Sequence, residues 1–243
     1  MKTLSDYNRE KFLNLQTDLR ESRLKKAARM ILQEPTGVLL DIGCGDGAFA
    51  SRFQELGFTV YGIDLTPDQI SIAQRRGLSA RVHDLSSGTL PYPGEFFTVV
   101  FAGEVIEHLV DTTSFLKELY RVLKPGGSVI LTTPNLASFE NRVRLFLGMY
   151  PAWVEYRLEG GQGHVRAYTP GILKRHLREN GFHIEVHRGN WVPFIPQKFA
   201  DDVRYPFLAW TGDAFPGLAM DIILKCRKPP HRPHAQTLLE PEE

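Results

Sequence analysis

Residues 38–47 read Val-Leu-Leu-Asp-Ile-Gly-Cys-Gly-Asp-Gly, and this stretch decides the fold. An apolar run ends at Asp41, and glycines then alternate at 43, 45 and 47. Ala48, Phe49, Ala50 and Phe53 follow at helical spacing. A strand entering a helix through a glycine turn exposes bare backbone to a ligand, with amide N–H groups aimed at it. The carboxylate at the strand end makes that mouth acidic. The stretch therefore predicts a ligand that carries positive charge as well as a nucleoside.

On either side of the turn the chain alternates in type. Phe12, Leu15, Leu19, Leu24, Ala27, Ala28, Ile31 and Leu32 predict a helix over 10–33, ended by Pro35. Apolar runs predict strands over 38–41, 59–64, 78–84, 97–102 and 128–133. Helices are predicted over 47–57, 67–76 and 112–123, with Thr66 as the cap of the second. A helix over 170–180 leads into a strand over 182–187, and 219–226 is expected as an edge strand. Unbroken apolar strands between helices imply a sheet covered on both faces. The fold class is therefore α/β and doubly wound: a mostly parallel seven-stranded sheet with an antiparallel edge strand and helices on both faces.

The chain divides into an N-terminal helical segment (1–35), the main domain (36–226) and a tail expected to be disordered (227–243). Two segments break the strand–helix rhythm. Residues 134–163 carry Phe139, Phe146, Tyr150, Trp153 and Tyr156 among Arg142, Arg144 and Arg157. Residues 191–215 carry Trp191, Phe194, Phe199, Tyr205, Phe207, Trp210 and Phe215. Both follow strands, on the edge where α/β sheets bind ligands. They are the candidate substrate cap, with ordinary packing or a dimer contact as the alternative.

Composition narrows the function classes. A chain of 243 residues, 42% hydrophobic, can bury one large core. Its formal net charge of +1 argues against a bulk electrostatic nucleic-acid binder. Two cysteines, Cys44 and Cys226, supply neither a disulfide framework nor a cysteine zinc cluster, so a reducing cytoplasm is expected. The first residues are polar and lack the apolar run of a signal peptide. No stretch approaches the ~20 apolar residues that span a bilayer.

Two cofactor classes compete for the turn. Gly43, Gly45 and Ala48 satisfy Gly-x-Gly-x-x-Gly/Ala, and Asp64 follows at the distance at which a dinucleotide fold holds ribose hydroxyls. Asp41 argues against a pyrophosphate, which its charge would repel, and in favour of a sulfonium with an amino-acid tail. Cys44 lies inside the turn with no resolving cysteine nearby, which argues for a fitting role rather than a nucleophile.

Further motifs occur in order: Gly62-Ile-Asp64, Asp84-Leu85, Phe101-Ala-Gly103-Glu104 and Leu123-Lys-Pro125-Gly-Gly127. Together with 40–47 they resemble the class I S-adenosylmethionine-dependent methyltransferases over residues 36–190. The resemblance implies that Asp41, Gly43, Cys44 and Gly45 lie under the methionine part of the cofactor. It also implies that Asp64 and Leu65 take the ribose, that Asp84 and Leu85 border the adenine, and that Gly103 and Glu104 line the methionine side.

Glu104-Val-Ile-Glu107-His108 places two carboxylates and an imidazole at i, i+3 and i+4, which share a face if the turn is helical. Glu104, Glu107 and His108 would suit Mg²⁺, Mn²⁺ or Zn²⁺, with His164 of Gly-Gly-Gln-Gly-His as a further ligand. Alternatively His108 or His164 serves as a metal-free base. Glu107, His108 and His164 are thus the candidate catalytic residues. The Glu-x-x-Glu-His pattern resembles the ubiquinone-pathway O-methyltransferases. The later His resembles that of the metal-dependent small-RNA 3′-terminal 2′-O-methyltransferases.

The leading expectation is O-methylation of a small-molecule or lipid-like hydroxyl, with Arg142, Arg144, Arg157 and Arg166 neutralising either an acidic acceptor or an anionic membrane surface in peripheral contact. An RNA ribose methyltransferase and a non-catalytic cofactor-binding regulator are the alternatives. His83, His176, His183 and His187 are expected to do no chemistry, and oligomeric state is not readable.

Overall fold

A computed structural model describes residues 21–154, 163–194 and 204–230. Helix α1 (Ser22–Leu32) precedes β1 (Val38–Ile42), the glycine turn and a four-residue α2 (Ser51–Gln54). Then come β2 (Thr59–Asp64), α3 (Pro67–Arg75), β3 (Ser79–Val82), β4 (Phe97–Gly103), α4 (Thr112–Val122) and β5 (Leu123–Pro134). The chain continues through α5 (Phe139–Phe146), α6 (Pro170–Glu179), β6 (His183–Gly189), α7 (Ala209–Ala214) and β7 (Asp221–Arg227).

The seven strands lie in the order β3-β2-β1-β4-β5-β7-β6. β1 is central and parallel to both neighbours, with Asp41 opposite Gly62 on β2 and Phe101 on β4. The expected fold class is the one found. Each face carries its own core. One buries Phe115, Leu116 and Leu119 of α4 with Leu173 and Leu177 of α6. The other buries Ala27, Ala28 and Ile31 of α1 with Phe53 of α2 and Ile70 of α3. A fully buried side chain such as Phe53 stabilises by roughly 1.5–3 kcal/mol.

Three expectations are corrected. The last strand is antiparallel but not at the edge; it lies between β5 and β6. The reason is in its composition, because Ile222, Ile223, Leu224 and Cys226 need cover on both faces, whereas β6 alternates with exposure. The helix after the glycine turn is one turn long rather than spanning 47–57, since Gly45 and Gly47 hold left-handed φ that a helix cannot propagate. The tail does not begin at 227. Arg227 belongs to β7, and buried Lys228 donates to the carbonyls of Tyr120 and Leu123.

The cap segments contain α5 and α7, and the rings of Phe139 and Phe194 meet at 5.3 Å, joining one segment to the other. Trp191 is buried in the core instead. The predicted helix before residue 21, Tyr156, Arg157, Phe199 and residues 231–243 lie outside the described residues.

Candidate functional site

The glycine turn sits at the C-terminal end of β1, pinned by two amides. Gly43 and Cys44 donate N–H bonds of 2.8 and 3.0 Å to the Ile63 carbonyl. Gly47 (φ +75°) is required sterically as well as conformationally, since a Cβ there would lie 3.0 Å from Ala73 Cβ and 3.1 Å from a Leu78 methyl. Cys44 packs on Gly62, where a Cβ would come within 2.7 Å of its sulfur. Burial pushes its thiol up to about 12, which suits a filling role.

Asp64 ends β2 and turns back onto the loop. Its two oxygens accept the Gly45 amide at 3.0 Å and the Thr66 amide at 2.8 Å. Asp64, not the Thr66 hydroxyl expected as cap, therefore closes the start of α3. Asp41 is only 3% exposed. Burial, and then the charge of Asp64, push its pKa up to about 8. Asp84 caps the single turn Leu85–Ser87 by accepting the Ser86 amide at 2.8 Å, which holds its carboxyl below its usual range.

A cavity of about 480 Å³ opens along this edge. Of the residues expected to bind cofactor, Gly43, Asp64, Leu65, Asp84, Leu85 and Glu104 line it, and so does His108. Asp41, Cys44, Gly45 and Gly103 do not; they shape the backbone beneath. Gly103 has its own steric reason, because a Cβ would strike the Phe101 ring at 2.5 Å. Its apolar wall includes Leu65 and Val110, which are 65% and 72% exposed. Such walls suit a planar base better than water.

The Glu104–His108 stretch does not form the continuous helical face expected of it. Glu104 closes β4 with φ +55°, and only Ile106–His108 makes a turn. Glu104 Oε1 instead accepts the Thr132 hydroxyl at 2.8 Å. Glu107 is 1% exposed and accepts the Thr133 hydroxyl at 3.0 Å through Oε2, while its Oε1 has no hydrogen-bond partner among the described residues. Burial, and then Glu104, raise its pKa. His108 and His164 lie edge to face, with ring centroids 4.9 Å apart.

Both imidazoles are oriented by main chain. Nδ1 of His108 donates to the Gly163 carbonyl at 3.2 Å, and Nδ1 of His164 to the Trp153 carbonyl at 3.0 Å. A carbonyl only accepts, so each Nδ1 carries the proton and each Nε2 is left as base or ligand. One ligating atom from each of Glu107, His108 and His164 lies within 4.8 Å of the other two. Glu104 stands outside this trio. Spacing pointed to Glu107 and His108 but equally to Glu104, and His164 came from its loop rather than from spacing; nothing in the spacing signalled Thr132, Thr133 or Arg23, which reach the carboxylates from distant elements.

The model of the family described as "Methyltransferase domain" matches residues 13–187. The rat mitochondrial ubiquinone biosynthesis O-methyltransferase is 31% identical over 160 residues, covering 62% of this chain and 46% of the relative. A malonyl-[acyl-carrier protein] O-methyltransferase from Serratia marcescens is 33% identical over 138 residues, covering 56% and 49%. The chain thus spans less than half the length of these curated relatives. Among solved structures, a SAM-dependent methyltransferase from Thermotoga maritima superposes with TM-score 0.62 at 22% identity, covering 93% of this chain and 96% of that one. The [4+2]-cyclase SpnF superposes with TM-score 0.60 at 24% identity, covering 85% and 80%. These likenesses establish the fold, and a cyclase among them means that the fold alone does not fix the reaction.

Proposed function

Since this chain belongs to the methyltransferase-domain family, we propose that it transfers the methyl group of S-adenosylmethionine to a hydroxyl oxygen of a small, apolar or lipid-precursor acceptor. Relatives named as O-methyltransferases support the oxygen. The observation that carries the reading is the trio at the cavity: a buried carboxylate with one oxygen unpartnered among the described residues, and two imidazoles whose Nδ1 is taken by main-chain carbonyls.

The roles follow from placement. Asp64 takes the ribose hydroxyls with the lone pairs left by its two amides, and Leu65 and Leu85 flank the base. Glu104 faces the amino-acid end. The acceptor oxygen attacks the methyl carbon as the C–S bond breaks, and the sulfur keeps the electron pair and leaves as the neutral thioether S-adenosylhomocysteine. Sulfonium is already an activated leaving group, so alignment supplies much of the rate. The remaining need is removal of the hydroxyl proton, and Nε2 of His108, on the cavity wall, is placed to take it.

The trio also fits a divalent ion, because an orphaned buried carboxylate oxygen is a vacant acceptor that a cation satisfies. Glu107, His108 and His164 would hold it, and it would supply a Lewis acid that lowers the hydroxyl pKa. Leu145, Phe146 and Leu147 are 55%, 88% and 63% exposed beside Arg142 and Arg144. That surface supports an acceptor held at a membrane.

The test is incubation of the full chain and methyl-labelled S-adenosylmethionine with cell extract, separated into lipid, aqueous and RNA fractions. Label should appear on oxygen in the lipid or small-molecule fraction. Label confined to a 3′-terminal ribose, or absence of any product despite cofactor binding, would overturn the proposal.

A further inference from the structure

Among the eight residues of α5, Asn141 is the one that is buried, at 1% exposed, whereas Val143, Leu145 and Phe146 stand 41%, 55% and 88% exposed. A helix ordinarily buries an apolar stripe, so what this helix inserts into the fold is a carboxamide and its hydrogen bonds. Asn141 Oδ1 accepts the Ala152 amide at 2.7 Å. Its Nδ2 donates to the Ala152 carbonyl and to the Asn135 carbonyl, each at 3.3 Å. The reverse orientation of the carboxamide would set one N–H against another, so the two main-chain groups of Ala152 fix it. Asn135 is a firm anchor, since its own amide group donates to the Gly217 and Ala219 carbonyls at 3.1 and 2.8 Å.

The residue after Ala152 is Trp153, whose φ of +63° is unfavourable for an aromatic side chain. Its ring is 43% exposed, so packing of the indole does not account for that conformation. What the conformation delivers is the carbonyl that accepts Nδ1 of His164 at 3.0 Å. From the other side, the amides of Val165 and Arg166 both donate to the Glu107 carbonyl, at 2.9 and 3.0 Å, which ties the loop carrying His164 to Glu107. His164 is thus set between two main-chain supports, and Asn141 governs one of them.

We propose that Asn141 is a positioning residue for the transfer: by gripping both main-chain groups of Ala152 it places the Trp153 carbonyl, and so holds the His164 imidazole with its proton on Nδ1 and with Nε2 unprotonated. The proposal rests on the reading of His164 as part of the reacting trio, although the orientation itself needs neither cofactor nor acceptor. The chain's return from α5 has other supports. Arg144 Nε donates to the Tyr150 carbonyl at 2.9 Å, and the Met149 amide donates to the Arg144 carbonyl at 2.8 Å. Removing the Asn141 carboxamide should therefore release Trp153 rather than unfold the segment.

The experiment reads the tautomer of His164 by heteronuclear NMR of its ring nitrogens, on the full chain with the imidazole neutral, the resonances being assigned by their loss in His164→Gln. In the unmodified chain the proton should reside on Nδ1, the reverse of the Nε2–H form that an unrestrained neutral histidine favours. In Asn141→Ala it should move to Nε2, and Asn141→Leu, which fills the space without hydrogen bonds, should do the same. A purely structural Asn141 would lower Tm and leave the tautomer as it was. Methyl incorporation in the extract assay should fall about tenfold in both variants, with the affinity for S-adenosylhomocysteine nearly unchanged. A His164 that keeps its Nδ1 proton in a folded Asn141 variant would overturn the proposal, as would undiminished incorporation once the tautomer has switched. So would a proton found on Nε2 in the unmodified chain, a measurement that does not depend on either variant folding. Absence of any methylated product from the unmodified chain would instead sink the transferase reading, while the tautomers still decide whether Asn141 orients His164.

Discussion

The imidazole of His164 is held by the main chain of Trp153, whose carbonyl accepts its Nδ1 proton at 3.0 Å while Trp153 itself adopts a left-handed φ of +63°. A bulky aromatic in that region is strained, and strain of this kind collects where a site must be held in one geometry. The aromatic segment thus orients the imidazole that lies edge to face with His108 of the cavity wall.

From that arrangement, Glu107→Gln and His108→Ala should each lower methyl transfer about 10–100-fold or more while leaving the affinity for S-adenosylhomocysteine within about threefold. Kinetics and calorimetry on the same preparations separate the two effects. Exhaustive chelation should lower turnover, with recovery on adding Mn²⁺ or Zn²⁺. Full activity after chelation would leave His108 as the base and remove the ion from the mechanism.

Asp64 holds the loop and faces the cavity at once. Asp64→Ala should cost about 1–3 kcal/mol of stability by leaving the Gly45 and Thr66 amides without their acceptor. It should also abolish the rise in Tm that S-adenosylhomocysteine gives the unmodified chain. Asp64→Asn keeps one acceptor oxygen and should fall between. A normal thermal shift in Asp64→Ala would contradict the ribose assignment.

Asp41 makes the stability of the fold depend on pH. Its folded pKa, about 8, lies above the ordinary carboxylate value because burial disfavours the charge. The folded state therefore holds the proton more tightly than the unfolded chain. Its stability contribution is complete below about pH 4 and is lost as pH rises towards 8. The unmodified chain should lose Tm relative to Asp41→Asn between pH 5 and 8, since asparagine does not titrate. A difference that stays flat over that range would contradict the assignment.

Lys26 tests the link between α1 and the segment around α7. Its buried ammonium donates to three carbonyls, at 2.7, 3.1 and 2.7 Å, and pairs with Asp213 at 3.0 Å. Lys26→Met leaves buried carbonyls short of a donor and should cost about 3 kcal/mol, read as a lower urea midpoint. Affinity for S-adenosylhomocysteine should hardly change, because none of these groups lines the cavity.

Much of the architecture was legible because it is written locally. The apolar run into Asp41, the alternating glycines and the Pro170 and Gly181 that bracket α6 each act within a few residues. Long-range insertion was not legible: β7 follows β6 in the chain yet pairs with β5 as well, and no local pattern encodes which neighbour a buried strand chooses. The length of α2 differs from the expectation because Ala48, Phe49 and Phe53 have helical spacing, whereas the positive φ at Gly45 and Gly47 goes with distant partners: Asp64 accepts the Gly45 amide, and Ala73 and Leu78 lie against Gly47.

The site divides along the same line. By itself the sequence determined the strand–helix alternation and, with the motifs that follow in order, the class of cofactor expected, since a glycine turn after an acidic strand end is a short-range device. Only the tertiary structure decided what each acid does. It sends Asp41 beneath the turn and gives Asp64 to two amides. It separates Glu104 from Glu107, three residues on, by assigning one to Thr132 and Arg23 and the other to Thr133 and the histidines. Carboxylates are alike in sequence. Burial and partners, brought from far along the chain, make them different.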